Sequence, residues 1–77
     1  MPSQNPPTST KITIQLNGDP YTIDGDARLI SLIDRLKMKP TRMAAELNRQ
    51  VVPKTDYAKV VLRDGDELEL INFVGGG

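Results

Sequence analysis

The first third of the chain contains two short runs in which apolar and polar residues alternate. In the run KITIQL every second residue is apolar, and YTID resumes the alternation after the turn residues NGDP. A period of two is typical of a strand with one buried face. The pattern therefore predicts an antiparallel hairpin whose buried face is formed by Ile12, Ile14, Leu16, Tyr21 and Ile23.

The next apolar positions follow a helical period. They recur at i, i+3, i+4 and i+7: Leu29, Leu32, Ile33 and Leu36. This spacing puts them on one stripe, and a helix of about ten residues must pack against the hairpin because it is not stable alone. We expect Asp26 to cap the first turn and Pro40 to end the helix shortly after Lys39.

The second half of the chain predicts short strands and one longer final strand. MAAELN and QVV are typical of two strands around a tight turn at Asn48 and Arg49, PKTDYAK of a loop, and VVL of a short edge strand. After the turn RDGD, the run ELELINFV predicts the last strand. One main helix against a mixed sheet of four or five strands indicates an α+β fold. If the last strand pairs beside the first, the chain leaves from the middle of the fold.

The two faces of the final strand have different expected surroundings. Leu68 and Leu70 should pack beneath the helix, whereas Ile71 and Phe73 have the opposite parity and point away from it in a regular strand. A β-bulge that returns Phe73 to the core is one alternative. In the other, the second sheet face stays open, and Ile71, Phe73 and Val74 form an apolar surface for a partner.

The two ends of the chain lack this patterning. Residues 1–10 are rich in Pro and polar residues, which predicts a disordered N-terminal extension. Residues 75–77 are glycines, which predict a flexible C-terminal tail. Residues 11–74 are expected to form one domain, near the size at which a single core is only just sufficient.

The composition excludes several kinds of chemistry. The 77 residues include no Cys and no His, which removes disulfides, thiolate nucleophiles, imidazole bases and the usual zinc ligands. Phosphate-loop and EF-hand patterns are also missing from the sequence, so we expect a protein that is not an enzyme and has no metal site. The lack of disulfides suits a reducing compartment, and no run resembles a signal peptide or membrane span. We expect a cytoplasmic location.

Ten acidic and ten basic residues give a formal charge of zero, so no general basic field indicates nucleic-acid binding. The charges are unevenly distributed, since bases dominate residues 28–42 and acids dominate residues 63–69. Two solvated surfaces explain this pattern. The alternative is an acidic approach to the C-terminus that steers a basic partner.

The remaining reactive group is the main-chain carboxylate of Gly77. It is ionised at neutral pH, with a reference pKa of about 3.3–3.7, so it becomes an acyl donor only after a partner converts it to a mixed anhydride, for example with AMP. Because they lack side chains, Gly75, Gly76 and Gly77 could enter a channel only one backbone wide. The alternative is a dispensable chain end.

The stretch AAELNRQVVPK, followed by YAKVVLRDGDELELINFVGGG, resembles the thiamin-biosynthesis sulfur carrier proteins, which have a ubiquitin-like β-grasp fold. The resemblance runs from about Lys11 to Gly77 and is strongest in the LN…VVP hairpin, the DGDELE segment and the terminal FVGGG. The chain departs from the family in its first ten residues, which have no obvious counterpart. It also has Asn48-Arg49 where Asn-Gly is more usual.

The resemblance implies a reaction cycle on Gly77. A ubiquitin-activating-like adenylyltransferase uses ATP and Mg²⁺ to adenylate the terminal carboxylate, and sulfur, usually from a cysteine desulfurase persulfide, replaces AMP to leave a thiocarboxylate. Thiazole synthase then accepts that sulfur. The carrier binds no cofactor itself and is a co-substrate of these partners.

Other proteins share this kind of tail. The closest rivals are the small subunit of molybdopterin synthase and the carriers of tRNA thiolation, which also end in Gly-Gly, and a ligase-conjugated ubiquitin-like modifier is a third use. A non-catalytic ubiquitin-like interaction domain is the rival from another class.

Overall fold

A computed structural model describes residues 10–73 of the chain. They form five strands and one α-helix, in this order: β1 Lys11–Leu16, β2 Asp19–Asp24, α1 Leu29–Arg35, β3 Met43–Leu47, β4 Gln50–Val51 and β5 Glu67–Asn72. Two short 3₁₀ turns occupy Pro40–Arg42 and Lys54–Asp56. The predicted N-terminal extension, apart from Thr10, and the residues Val74, Gly75, Gly76 and Gly77 lie outside the described residues.

The strands form one mixed sheet in the order β2-β1-β5-β3-β4. The β1–β2 and β3–β5 pairs are antiparallel, and β1 and β5 are parallel. The α+β prediction is confirmed, and the last strand lies in the centre of the sheet beside the first, as expected. The chain therefore leaves the fold from its central strand.

One face of this sheet packs against α1 and forms the core. The largest buried side chains come from the sheet, the helix and the connecting loops: Ile14, Leu29, Ile33, Met43, Tyr57, Leu62 and Leu68. The predicted helical stripe is confirmed at Leu29, Leu32 and Ile33, which are buried, while Leu36 is half-buried at the end of the stripe.

The start of α1 differs from the prediction. Arg28, and not Asp26, occupies the N-cap position, and it makes no side-chain capping hydrogen bond. The first helical N–H groups instead find carbonyls in a distant loop: Leu29 donates to Val60 (2.9 Å) and Ile30 donates to Tyr57 (2.9 Å). These bonds satisfy amides that a capping side chain would otherwise serve.

The end of α1 also differs, because the helix has seven residues and stops before Pro40 is reached. Lys37 takes a left-handed conformation (φ 61°). Its N–H donates to Asp34 O (2.9 Å), and the Met38 N–H donates to Ile33 O (3.1 Å). This pair of bonds is a Schellman motif, so backbone capping ends the helix, and Pro40 begins the following 3₁₀ turn.

The predicted edge strand VVL is wrong. Val61 makes one isolated bridge to Arg28, and the Leu62 N–H donates to Ala27 O (3.0 Å). This segment therefore pairs with the residues that lead into the helix and does not add a strand to the sheet.

Candidate functional site

The C-terminal end of β5, at Asn72 and Phe73, is the base of the tail. The tail comprises residues 74–77, which include Gly75, Gly76 and Gly77. The Phe73 N–H donates to Arg42 O (2.8 Å), so the ladder between β3 and β5 extends to the last described residue. The base of the tail is therefore anchored by main-chain hydrogen bonds on its β3 side.

Hydrogen bonds at the other end of β5 set its position in the sheet. The Asn48 N–H donates to Glu67 O (2.7 Å) and the Glu67 N–H donates to the Asn48 side chain (2.9 Å). The Asn48 side-chain amide also donates to Asp66 Oδ1 (3.1 Å). Asn48 has φ 51° and Arg49 has φ 71°, so the β3–β4 turn that carries this clamp has left-handed backbone at both central positions, as in a type I′ turn.

The outer face of the sheet, which is the face opposite α1, carries exposed apolar side chains near the base of the tail. Ile71 is 48% exposed and Phe73 is 54% exposed, whereas Leu68 and Leu70 on the other face are 0% and 6% exposed. The open face is confirmed at Ile71 and Phe73, and the β-bulge alternative is wrong. Val74 lies outside the described residues, and the partner-binding role of this surface stays a prediction. Ala44 lies directly opposite Ile71 on β3, and we call Ala44, Ile71 and Phe73 the apolar patch.

The four acidic residues of the segment 63–69 lie at different distances from the tail. Asp64 and Asp66 lie before the start of β5, where Asp64 accepts the Thr13 N–H (2.8 Å) and Asp66 accepts the Arg63 N–H (2.8 Å). Glu67 begins the strand six residues before Phe73, a distance of about 20 Å along a strand. These three acids are thus a strand length from the tail, and two of them brace a turn. Glu69 is closer, since it lies on the outer face of β5 two residues before Ile71. That these acids steer a basic partner stays a prediction.

One basic residue, Arg42, which the sequence analysis did not connect to the tail, lies at its base. Arg42 is the β3-side neighbour of Phe73, and its own N–H donates to Lys39 O (2.8 Å). No pattern in the sequence could place Arg42 there, because its location depends on the register between β3 and β5. The outer face therefore passes from acidic residues at Glu46 and Glu69, which are opposite one another, to the apolar patch and then to Arg42.

Two groups with shifted pKa values lie outside this region. A hydrogen bond from Lys11 (Nζ–Oδ1 2.6 Å) lowers the pKa of Asp24 from its ordinary value. Burial raises the pKa of the Tyr57 phenol. Neither side chain belongs to residues 70–73, which contain no titratable side chain. Among residues 10–73, no three His, Cys, Asp or Glu side chains are grouped to hold a metal ion. The same residues contain no helix of the length and apolarity needed to cross a membrane.

The arrangement of the sheet and helix defines the structural class of this protein. A mixed five-stranded sheet that wraps one helix, with the chain leaving from the central strand, is a ubiquitin-like β-grasp domain. A crystal structure of the thiamine biosynthesis protein (ThiS) from Geobacter metallireducens superposes with a TM-score of 0.72 at 29% identity, covering 86% of this chain and 100% of that one.

The sequence comparison gives the family. The ThiS family model matches residues 14–77, and the chain belongs to this family. The sulfur carrier protein ThiS of Bacillus subtilis is 32% identical over 65 residues, covering 83% of this chain and 98% of the relative.

A second kind of relative is much longer. The thiazole synthase of Magnetococcus marinus is 38% identical over 64 residues, which cover 83% of this chain and 20% of the relative. This chain thus spans about a fifth of the length of that protein. The carrier-like segment in that relative belongs to a polypeptide named as a thiazole synthase.

Proposed function

We propose that this chain is the sulfur carrier for formation of the thiamin thiazole, with the carboxylate of Gly77 as the group that is loaded. The observation that carries the proposal is the anchoring of β5. This central strand is hydrogen-bonded through Phe73, and the four residues that follow could reach about 13 Å in extended form. A rigid base with a narrow extension suits delivery of a chain end into an enclosed site on another protein.

The proposed loading has three steps. A ubiquitin-activating-like adenylyltransferase joins the Gly77 carboxylate to the α-phosphate of ATP, in the presence of Mg²⁺, and pyrophosphate leaves. The terminal sulfur of a persulfide, such as that of a cysteine desulfurase, then attacks the acyl carbon and AMP departs. A thiol cleaves the resulting acyl disulfide, which leaves the thiocarboxylate on Gly77 and a new disulfide on the sulfur donor.

In this scheme the carrier positions its tail and its partners supply the catalytic groups. The apolar patch, together with Val74, is the proposed docking surface, because exposed aromatic and aliphatic side chains beside a functional group favour a protein contact. We propose that Gly75 and Gly76 occupy a narrow channel in the partner when Gly77 is loaded. The presence of a similar segment inside a relative named thiazole synthase supports thiazole synthase as the acceptor. We assign the cycle to the cytoplasm, since a chain without Cys suits a reducing compartment.

The test is intact-mass measurement after incubation with ATP, a sulfur source and the cognate activating enzyme. The wild type should gain 16 Da, the mass difference between sulfur and oxygen, on the C-terminal fragment. Deleting Gly77, or adding one Ala after it, should abolish ATP–pyrophosphate exchange while the unfolding curve stays unchanged. Undiminished exchange in either variant would refute the role of Gly77. If the activating enzyme of molybdopterin synthesis or of tRNA thiolation loads Gly77, and the activating enzyme of thiamin synthesis does not, the chain is a carrier for that other pathway.

A further inference from the structure

Main-chain groups along β5 point alternately to its two neighbours. Odd-numbered residues face β3, as Glu67 O and the Phe73 N–H show by bonding to Asn48 and Arg42. Even-numbered residues face β1: Asp66 O accepts from the Gln15 N–H (2.8 Å), and Leu68 O accepts from the Asn17 N–H (2.9 Å). Asn72, the last residue of β5, therefore directs its N–H and C=O toward the β1 side.

Strand β1 ends before it reaches Asn72. Its parallel register with β5 stops at Leu16, which is opposite Leu68, and Asn17 (φ 51°) turns the chain into the β1–β2 hairpin. The Leu70 N–H donates to the side-chain oxygen of Asn17 (2.8 Å). A side-chain carbonyl thus takes the place that the next main-chain carbonyl of a longer β1 would occupy.

Within the described part of the chain, no strand therefore covers the β1 side of β5 at the base of the tail. Among residues 10–73, neither the Asn72 N–H nor the Leu70 and Asn72 carbonyls have a hydrogen-bond partner on this side. We call these three groups the open edge. An unpaired strand edge is a template for another extended chain, and this one borders the strand that carries Ile71 and Phe73.

We propose that the thiazole synthase that receives the tail adds an extended main-chain segment to the open edge, in the position that β1 vacates. This inference rests on the proposed function. The added segment accepts a hydrogen bond from the Asn72 N–H and donates to the Leu70 and Asn72 carbonyls. Its alternate side chains lie on the outer face beside the apolar patch, so the segment carries an apolar residue there.

One observation favours this occupant over a second copy of the carrier. A relative named thiazole synthase carries a carrier-like segment within its own chain, which keeps enzyme and carrier surfaces close together. Strand addition would also hold the tail extended where it leaves the fold.

The decisive variant is Asn72→Pro, with Asn72→Ala as its matched control. Proline removes the N–H and places its ring on the open edge, yet it leaves the bonds of Ile71 and Phe73 to β3 in place. Proline is tolerated on strand edges whose N–H faces solvent, so both variants should unfold at similar denaturant concentrations. Calorimetric titration with the cognate thiazole synthase should give a Kd at least about tenfold weaker for Asn72→Pro than for Asn72→Ala. Equal affinities would overturn the inference.

Amide exchange supplies an independent measurement on the unaltered chain. In the free ¹⁵N-labelled carrier the Asn72 amide should exchange rapidly while the Phe73 amide, bonded to Arg42 O, exchanges slowly. Binding of unlabelled thiazole synthase should slow exchange at Asn72 by at least about tenfold. Unchanged exchange at Asn72 in the complex would refute strand addition. Protection in the free protein that grows with concentration would show that a second copy occupies the edge, which also refutes it.

These outcomes separate the inference from the function on which it rests. If thiazole synthase fails to bind the wild-type carrier and Gly77 is not loaded with sulfur, the proposed function fails. If the wild type is loaded and binds, but Asn72→Pro binds as well as Asn72→Ala, only strand addition fails.

Discussion

Truncation of Phe73 tests whether the end of β5 is a surface for partners. Phe73 is 54% exposed, so a little under half of an aromatic side chain is removed from water. For a Phe of about 200 Å² this is roughly 90 Å², of which an Ala would retain about a third. The net loss of about 60 Å² at about 25 cal/mol per Å² gives about 1.5 kcal/mol for Phe73→Ala. This figure is an upper bound, because unfolded chains already bury some apolar surface.

Leu70 provides the matched control on the same strand. It points to the opposite face and is 6% exposed, so Leu70→Ala should destabilise the fold by about 2–5 kcal/mol. Urea unfolding of both variants measures the difference. Calorimetric titration of the folded Phe73→Ala protein with the activating enzyme and with thiazole synthase then measures the contact itself. We expect at least about tenfold weaker binding, as for an aromatic anchor at an interface.

Two results would contradict this reasoning. A destabilisation of Phe73→Ala as large as that of Leu70→Ala would show that Phe73 serves the core. Unchanged affinity for both partners, with stability also preserved, would show that the apolar patch is an ordinary exposed surface.

The remaining predictions concern the tail, one turn and one buried phenol. Gly76→Val should leave the free energy of unfolding within about 0.5 kcal/mol of wild type while sharply slowing thiocarboxylate formation, measured by mass spectrometry, and a normal loading rate would refute the narrow channel. Arg49→Gly should stabilise the fold by about 1 kcal/mol, because Arg49 has φ 71° and only glycine adopts this conformation without strain; an unchanged or lower melting temperature would contradict this. Burial raises the pKa of Tyr57, so above about pH 10 the unfolded state releases the phenol proton first and folding stability falls as pH rises. Tyr57→Phe should therefore lose less stability than wild type between about pH 9 and 11, and parallel pH profiles would show that Tyr57 does not cause the loss.

The sequence by itself determined the elements whose signal is local. The alternation through Ile12, Ile14 and Leu16, and the helical stripe from Leu29 to Ile33, both match the observed burial. The parity of the final strand also predicted which side chains are exposed, Ile71 and Phe73 in the open-face alternative. Such signals succeed because alternate residues of a strand, or residues one helical turn apart, share one face whatever partner covers it.

Tertiary structure alone decided the contacts between residues distant in sequence. The first N–H groups of α1 donate to the carbonyls of Tyr57 and Val60, about thirty residues away. Asp26 is therefore not needed as the N-cap that the sequence predicted. The helix ends where Lys37 turns left-handed, since the bonds from Lys37 and Met38 back into the helix satisfy its last carbonyls.

The surroundings of the tail have the same origin. Arg42 is beside Phe73 because of the register between β3 and β5, and the acids before β5 are a strand length away because the strand is extended. The open edge at Asn72 exists because β1 turns at Asn17 while the parallel β5 continues. Hydrophobic periodicity indicates the face that a residue occupies, but it carries no information on where a neighbouring strand stops. At the base of the tail, β1 stops before β5 does, and this difference in length leaves the β1 side of Asn72 without a strand among the described residues.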